Sequence, residues 1–305
     1  PGAEDILVAD VPPSVDLTTS DAGGDDTAVD DARDTADTPD VVYDVAPNQA
    51  MAWVWEEPNG VAVTEPVMRP LLHITHPEGY LTGEFANVTN CLNKPGGVGT
   101  TLDMNGQRVE VSLCVLEQTV VPDADGNYLS VRPPARLKDP DDPFAEVQAY
   151  FHINRIHDYF RDVHGYEGMD RALKAVVNIQ VAVKVLGTVW MSVDNAAFIP
   201  RESLLQLAEL IGIPSPIDED AIVFAQNNVD FSYDGDVIYH EYTHALIGGE
   251  RLFGVRADAF GADASPTALN EAHADYFACT LTDDALVGGW SLGQLGATRS
   301  LTESY

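Results

Sequence analysis

The sequence predicts an α+β fold in which a β-rich N-terminal region is followed by a helix-bearing region. Three observations carry this reading. Residues 49–140 hold short alternating runs separated by Asn-Gly and Asp-Gly turn signals. Residues 141–305 hold helical spacings, first after Asp142-Pro143 and again around His240 and Glu271. Residues 1–48 carry 13 acidic residues against one basic, Arg33, too polar and self-repelling to bury a core. They read as a disordered acidic linker. Its repeated Asp gives calcium a weak hold but lacks the loop grammar of a dedicated calcium site.

Taken in order, the β-rich region shows runs at Gly60–Val63, Gly106–Val111 and Tyr128–Val131, with turns at Asn59-Gly60, Asn105-Gly106 and Asp125-Gly126-Asn127. His73 and His76, three apart in an extended run, face opposite sides and are expected to be structural. Asp142 as N-cap and Pro143 at the first turn open a long aromatic-rich helix to His164. The spacings of His152, His157 and His164 along it do not make a ligand pair. Lys174–Trp190, rich in Val and Ile, is expected as strand, Arg201–Ile211 as an amphipathic helix, and Ala221–Ala225 as another strand.

The chemistry concentrates in Val237–Leu246, which contains His240-Glu241-Tyr242-Thr243-His244. On a helix, four residues advance about 400°, so His240 and His244 share one face and can both reach one metal ion. Glu241 is then placed to hold a water beside the metal rather than the metal itself. With 8 His and 17 Glu in the chain, chance alone gives this pattern ~0.01 times. A second helical stretch supplies what the first lacks. Asn270-Glu271-x-x-x-Asp275 puts two carboxylates one turn apart, with Ser265-Pro266 opening the helix. One carboxylate can complete the metal shell and the other can hold the far nitrogen of a ligating His.

These two stretches together resemble the gluzincin metallopeptidases, particularly the thermolysin and fungalysin group. The resemblance implies zinc held by His240, His244 and Glu271, Glu241 as general base, and Asp275 as partner of His240. It implies a zinc-dependent endopeptidase acting on protein or peptide substrates, built as the zinc-bearing half of a thermolysin-like catalytic domain. By the same resemblance, Asn195 and Ala196 in Asp194-Asn195-Ala196-Ala197-Phe198 bind the substrate backbone, and Val237 walls the pocket after the scissile bond. This copy of the stretch has an extra Ala. The 27-residue gap from His244 to Glu271 is nearer the fungalysin pattern. A metzincin needs Gly at 247 and a third ligand at 250, where this chain has Ile247 and Glu250.

Only 34 residues follow Glu271, and from 280 to 305 there is no His and one basic residue, Arg299. The resemblance calls there for a helical subdomain carrying an oxyanion-stabilising group. Its absence leads to the expectation of a fragment, and the rival expectation is a non-catalytic surface or binding protein with a metallopeptidase-like zinc domain. Charge narrows the partners. With 49 acidic against 16 basic residues the chain carries −33, which repels nucleic acid and anionic membrane. No apolar run spans a bilayer. The opening at Pro1 suggests an upstream leader or anchor. The expected setting is secreted, periplasmic or cell-surface, where Cys91 and Cys114 can pair. Cys279 is expected as a small buried residue.

Overall fold

The computed structural model of the chain describes residues 49–56, 65–94, 96–104, 107–134, 141–184, 187–248, 252, 254, 256–258 and 261–302. The expected acidic linker, the turns at Asn59-Gly60 and Asn105-Gly106, the run Gly60–Val63 and Glu250 lie outside the described residues. The described residues belong to one unit, Asp44–Tyr305, of mixed α+β architecture.

Two sheets share their strands across residue 140. The first pairs β3 (Ala86–Leu92), β6 (Val115–Glu117), β7 (Leu173–Ile179), β10 (Ala196–Ile199) and β11 (Ala221–Ala225) in the order β10-β11-β7-β3-β6. Its middle pairings, β11–β7 and β7–β3, are parallel, and its two edge pairings are antiparallel. The second is an antiparallel meander, β4 (Gly99–Met104), β5 (Gln107–Leu113), β8 (Val181–Lys184) and β9 (Thr188–Met191). A small hairpin, β1 (Ala50–Val54) with β2 (Val67–Leu71), stands apart. Each of these two sheets therefore draws strands from both sides of residue 140, through the pairings β3–β7 and β5–β8.

The chain passes between the two sheets at single residues. β5 becomes β6 at Cys114, and β7 becomes β8 at Gln180. The Cys114 N–H donates to the Gln180 carbonyl, and a disulfide joins Cys114 to Cys91 on β3 at this junction. The stretch Lys174–Trp190, expected as strand, is strand in three pieces, β7, β8 and β9. Asn178 takes a positive φ of 57° just before the switch, a conformation that Asn tolerates better than most residues. Tyr128–Val131 is a turn rather than a strand. Only Tyr128 bridges to Ala52, and the Val131 N–H bonds back to the Tyr128 carbonyl. His73 also lies off any strand, at φ 63°, with its Nε2 on both oxygens of Asp158.

The helix α1 (Phe144–His164) covers the first sheet. Asp142 caps it by accepting from Phe144 N–H and Ala145 N–H, with Pro143 one place before the first helical residue. Its buried aromatic and aliphatic side chains, Phe144, Tyr150, Ile153 and Ile156, anchor the core, each contributing on the order of 1.5–3 kcal/mol. α2 (Arg201–Ile211) falls on its expected residues, ended by Gly212 at φ 68°.

The helix α3 (Gly235–Ile247) follows a short 3-10 turn, Phe231–Tyr233, and packs against α1, β10 and α4 (Ser265–Thr282). Asp234 caps α3 with Oδ1, which accepts from Asp236 N–H and Val237 N–H. Its Oδ2 accepts from Ser291 N–H and Oγ–H, each at 2.7 Å, so α5 (Ser291–Leu295) is tied to the start of α3. Gly235 permits close approach, because a Cβ there would lie 2.8 Å from His152 Cε1 on α1. His152 donates from Nε2 to the Trp55 carbonyl and accepts at Nδ1 from the Tyr239 hydroxyl at 2.6 Å. Burial first, then the Arg155 charge, lowers its imidazole to about 3, so it clamps α1 to α3 as a neutral ring. Between α3 and α4 runs the hairpin β12 (Arg256–Asp258) and β13 (Gly261–Asp263), and after α4 the pair β14 (Leu286–Val287) and β15 (Arg299–Ser300) closes the described chain. Among the described residues no helix is long and apolar enough to cross a membrane.

Candidate metal centre

The facing of α3 and α4 brings three donors together. His240 and His244, one turn apart on α3, point their Nε2 atoms at one another 2.9 Å apart. Glu271 on α4 completes the triangle, with Oε2 3.3 Å from His240 Nε2 and Oε1 3.6 Å from His244 Nε2. Among the described residues this is the group of His and acidic side chains able to hold a metal ion. Metal bonds of ~2.0–2.1 Å in tetrahedral array separate neighbouring donors by about 3.3 Å. The three observed separations straddle that value, so the donors fit one face of such a shell.

The far side of each imidazole explains why a cation belongs there. His244 Nδ1 lies 3.0 Å from Asn270 Oδ1, an acceptor, which puts the proton on Nδ1. His240 Nδ1 lies 2.8 Å from Asp275 Oδ1. This is an ion pair by distance rather than an aligned hydrogen bond, and the adjacent negative charge favours the protonated, cationic form of the ring. With its proton on Nδ1, His244 presents the lone pair of Nε2 to His240 Nε2 at 2.9 Å. A proton or a metal ion must lie between them. Without metal, burial alone would lower His240, but its bonds to Asp275 and Glu271 and the Glu241 charge overcome this and raise it to about 9. Burial would likewise raise Glu271, and the His240 bond with the His240, His244 and Arg299 charges brings it down to about 2. A metal ion would take the place of the His240 proton.

Glu241, 7% exposed, is no part of the triangle. Its Oε2 accepts from the Phe198 N–H at 2.7 Å, across the contact between α3 and β10. Asn195 is exposed ahead of β10, with its carbonyl accepting from Ala225 N–H. Ala196 opens the strand itself, which is the edge of the five-stranded sheet. The Asn-Ala stretch leads into this edge strand. Val237, one turn before Glu241, is buried in the main core.

No protein-family model matches the chain, and no curated protein matches it.

Two residues of the centre, Asn270 and Arg299, are not marked as functional by the sequence pattern. For Asn270 the one signal is its place immediately before Glu271. Arg299, on β15, reaches back to α4. Its Nη2 lies 2.8 Å from Asp275 Oδ1 and 3.3 Å from His240 Nδ1, and its Nη1 lies 3.6 Å from Glu271 Oε2. A guanidinium only donates, so at the 3.3 Å contact His240 Nδ1 accepts from Arg299, which also forms an ion pair with Asp275. The signal was its isolation as the lone basic residue of 280–305.

Proposed function

We propose that the chain is a gluzincin-type, zinc-dependent endopeptidase that hydrolyses peptide bonds in protein or peptide substrates. The observation that carries this is a buried carboxylate, Glu241, beside a His-His-Glu donor triangle that leaves one side of the shell open. His240, His244 and Glu271 would hold the zinc, and Asp275 and Asn270 would orient the two imidazoles. When bound, zinc would act as a Lewis acid on the scissile carbonyl and lower the pKa of water. Glu241 takes the proton of the attacking water as its oxygen bonds to the carbonyl carbon. It then delivers that proton to the amine nitrogen as the C–N bond breaks. The edge strand β10 offers backbone groups to which an extended peptide can pair, starting at Asn195 and Ala196.

The −33 charge disfavours nucleic acid. The Cys91–Cys114 disulfide favours an oxidising setting, so we place the protein outside the cytosol, secreted, periplasmic or on the cell surface.

The test is Glu241→Gln in the native full-length protein, loaded with zinc and assayed on casein. Gln keeps the size and one acceptor but cannot take the proton, so cleavage should fall by roughly 10²- to 10⁴-fold while zinc content stays at the wild-type level. A zinc-loaded wild type with no activity on casein or a similar unfolded protein would sink the peptidase reading. Equal activity in both forms would assign the cleavage to a contaminant.

A further inference from the structure

The Phe198 N–H occupies a position that an incoming strand would use. The Asn195 carbonyl faces β11, since it accepts from Ala225 N–H. Backbone groups alternate along a strand, so Ala196 and Phe198 turn their N–H and C=O to the free edge of β10. The Phe198 donor is already engaged with Glu241 Oε2 at 2.7 Å. A peptide extending the sheet at this edge and the carboxylate of Glu241 therefore compete for one N–H.

We propose that the Phe198 N–H is the resting partner of Glu241, and that an extended peptide joining β10 takes this N–H and frees Glu241 for the attacking water. The proposal rests on the peptidase reading above and adds a coupling to it: strand addition and release of the base become one event. A nearly buried carboxylate needs a donor, and Phe198 supplies one in the peptide-free chain. The bond to the carboxylate is charge-assisted and stronger than the neutral bond that replaces it. The peptide therefore binds more weakly than its contacts alone would allow, and Glu241 is released only by a ligand that pairs with the strand.

The experiment uses the zinc-loaded full-length protein and a capped apolar hexapeptide whose central amide is reduced to CH2–NH, so that it cannot be hydrolysed. Glu241→Ala should bind this probe roughly fivefold to tenfold more tightly than wild type, because the peptide no longer has to displace the carboxylate. In the Phe198→Pro background, which has no N–H to contest, the same Glu241→Ala change should give no gain. Proline is tolerated there because the lost N–H faces the free edge rather than the β11 ladder, and Phe198→Ala, which keeps the N–H, controls for the lost ring. Hydrogen exchange on unliganded wild type gives a reading that needs no substitution to fold. The Phe198 amide should be protected, and Glu241→Ala should unprotect it.

Equal tightening in both backgrounds, no tightening at all, an unprotected Phe198 amide, or no binding of the probe by any form would each overturn the proposal. Casein cleavage by the wild type separates the two failures. Cleavage with an unprotected Phe198 amide rejects the coupling and leaves the peptidase reading standing, whereas absence of cleavage rejects the peptidase reading itself.

Discussion

Replacing Asn270 with Ala tests whether the metal centre is held from behind. Asn270 is 7% exposed, and its Oδ1 lies 3.0 Å from His244 Nδ1. It is the contact that fixes which nitrogen of His244 carries the proton and which way the ring faces. Loss of a net hydrogen bond costs about 0.5–1.5 kcal/mol. The freed ring can then rotate or change tautomer, and loss of such a partner typically lowers metal affinity 10- to 100-fold, or about 1.4–2.7 kcal/mol. Asn270→Ala should therefore weaken zinc binding by that factor in a competition titration against a chromophoric chelator at fixed pH, with circular dichroism to establish that the fold is kept. Glu271→Ala, which removes a donor outright, should lose more. His73→Ala should lose nothing, since His73 pairs with Asp158 away from the centre. A folded Asn270→Ala protein with zinc affinity within twofold of wild type would refute the claim that His244 is oriented through its Nδ1.

Two further outcomes follow from the frame. Opening the disulfide with Cys91→Ala and Cys114→Ala releases a loop with a sequence separation of 23, which on chain-entropy grounds costs about 3 kcal/mol. The melting temperature should then fall by roughly 6–12 °C with zinc stoichiometry unchanged, and an unaltered melting temperature would count against a structural role for the bridge. Asp230 supplies a pH dependence. Burial first, then the Asp142 charge, raises it to about 7, against the hydrogen bonds from Ser232 and Gln226. The folded chain keeps a proton there that the unfolded chain has lost, so stability falls as pH rises from about 4 to 7, by up to on the order of 4 kcal/mol. Asp230→Asn should flatten that part of the stability profile in denaturant titrations, and a slope identical to wild type would reject the assignment.

Elements whose pattern is local were legible. α2 and β11 fall on the residues expected of them because each has a clean period and a punctuating residue, Pro200 before α2 and Gly212 after it. The run from Lys174 to Trp190 is strand as its Val and Ile content predicts, but an apolar β-branched run carries no sign of where it divides. Asn178 and Gln180, polar residues inside it, mark where the chain bends into the second sheet. Tyr128–Val131 alternates in sequence, but only Tyr128 meets a partner, Ala52 on β1, and one bridge does not make a strand. The donor triangle was readable because two helices present it at helical spacings. Arg299 was not, because the β14–β15 pair carries it to α4 through contacts that leave no periodic trace. The bond from Phe198 to Glu241 could not be read either, since it uses a backbone group whose direction depends on which edge of β10 is free.

The arrangement around Glu241 bears on enzyme against scaffold. A structural zinc site takes four protein donors and closes its shell. The triangle here has three, and the third, Glu271, is on a side chain 45% exposed, so one side faces solvent. Beside it stands Glu241, a carboxylate 7% exposed that donates nothing to the triangle. Burying such a group costs free energy that its hydrogen bond to Phe198 only partly offsets. A chain that used the centre only to brace α3 against α4 would be more stable with Gln or an apolar residue at 241. The acid is worth its cost where a proton must be taken up and handed on, which is the reason the general-base assignment rests on this residue.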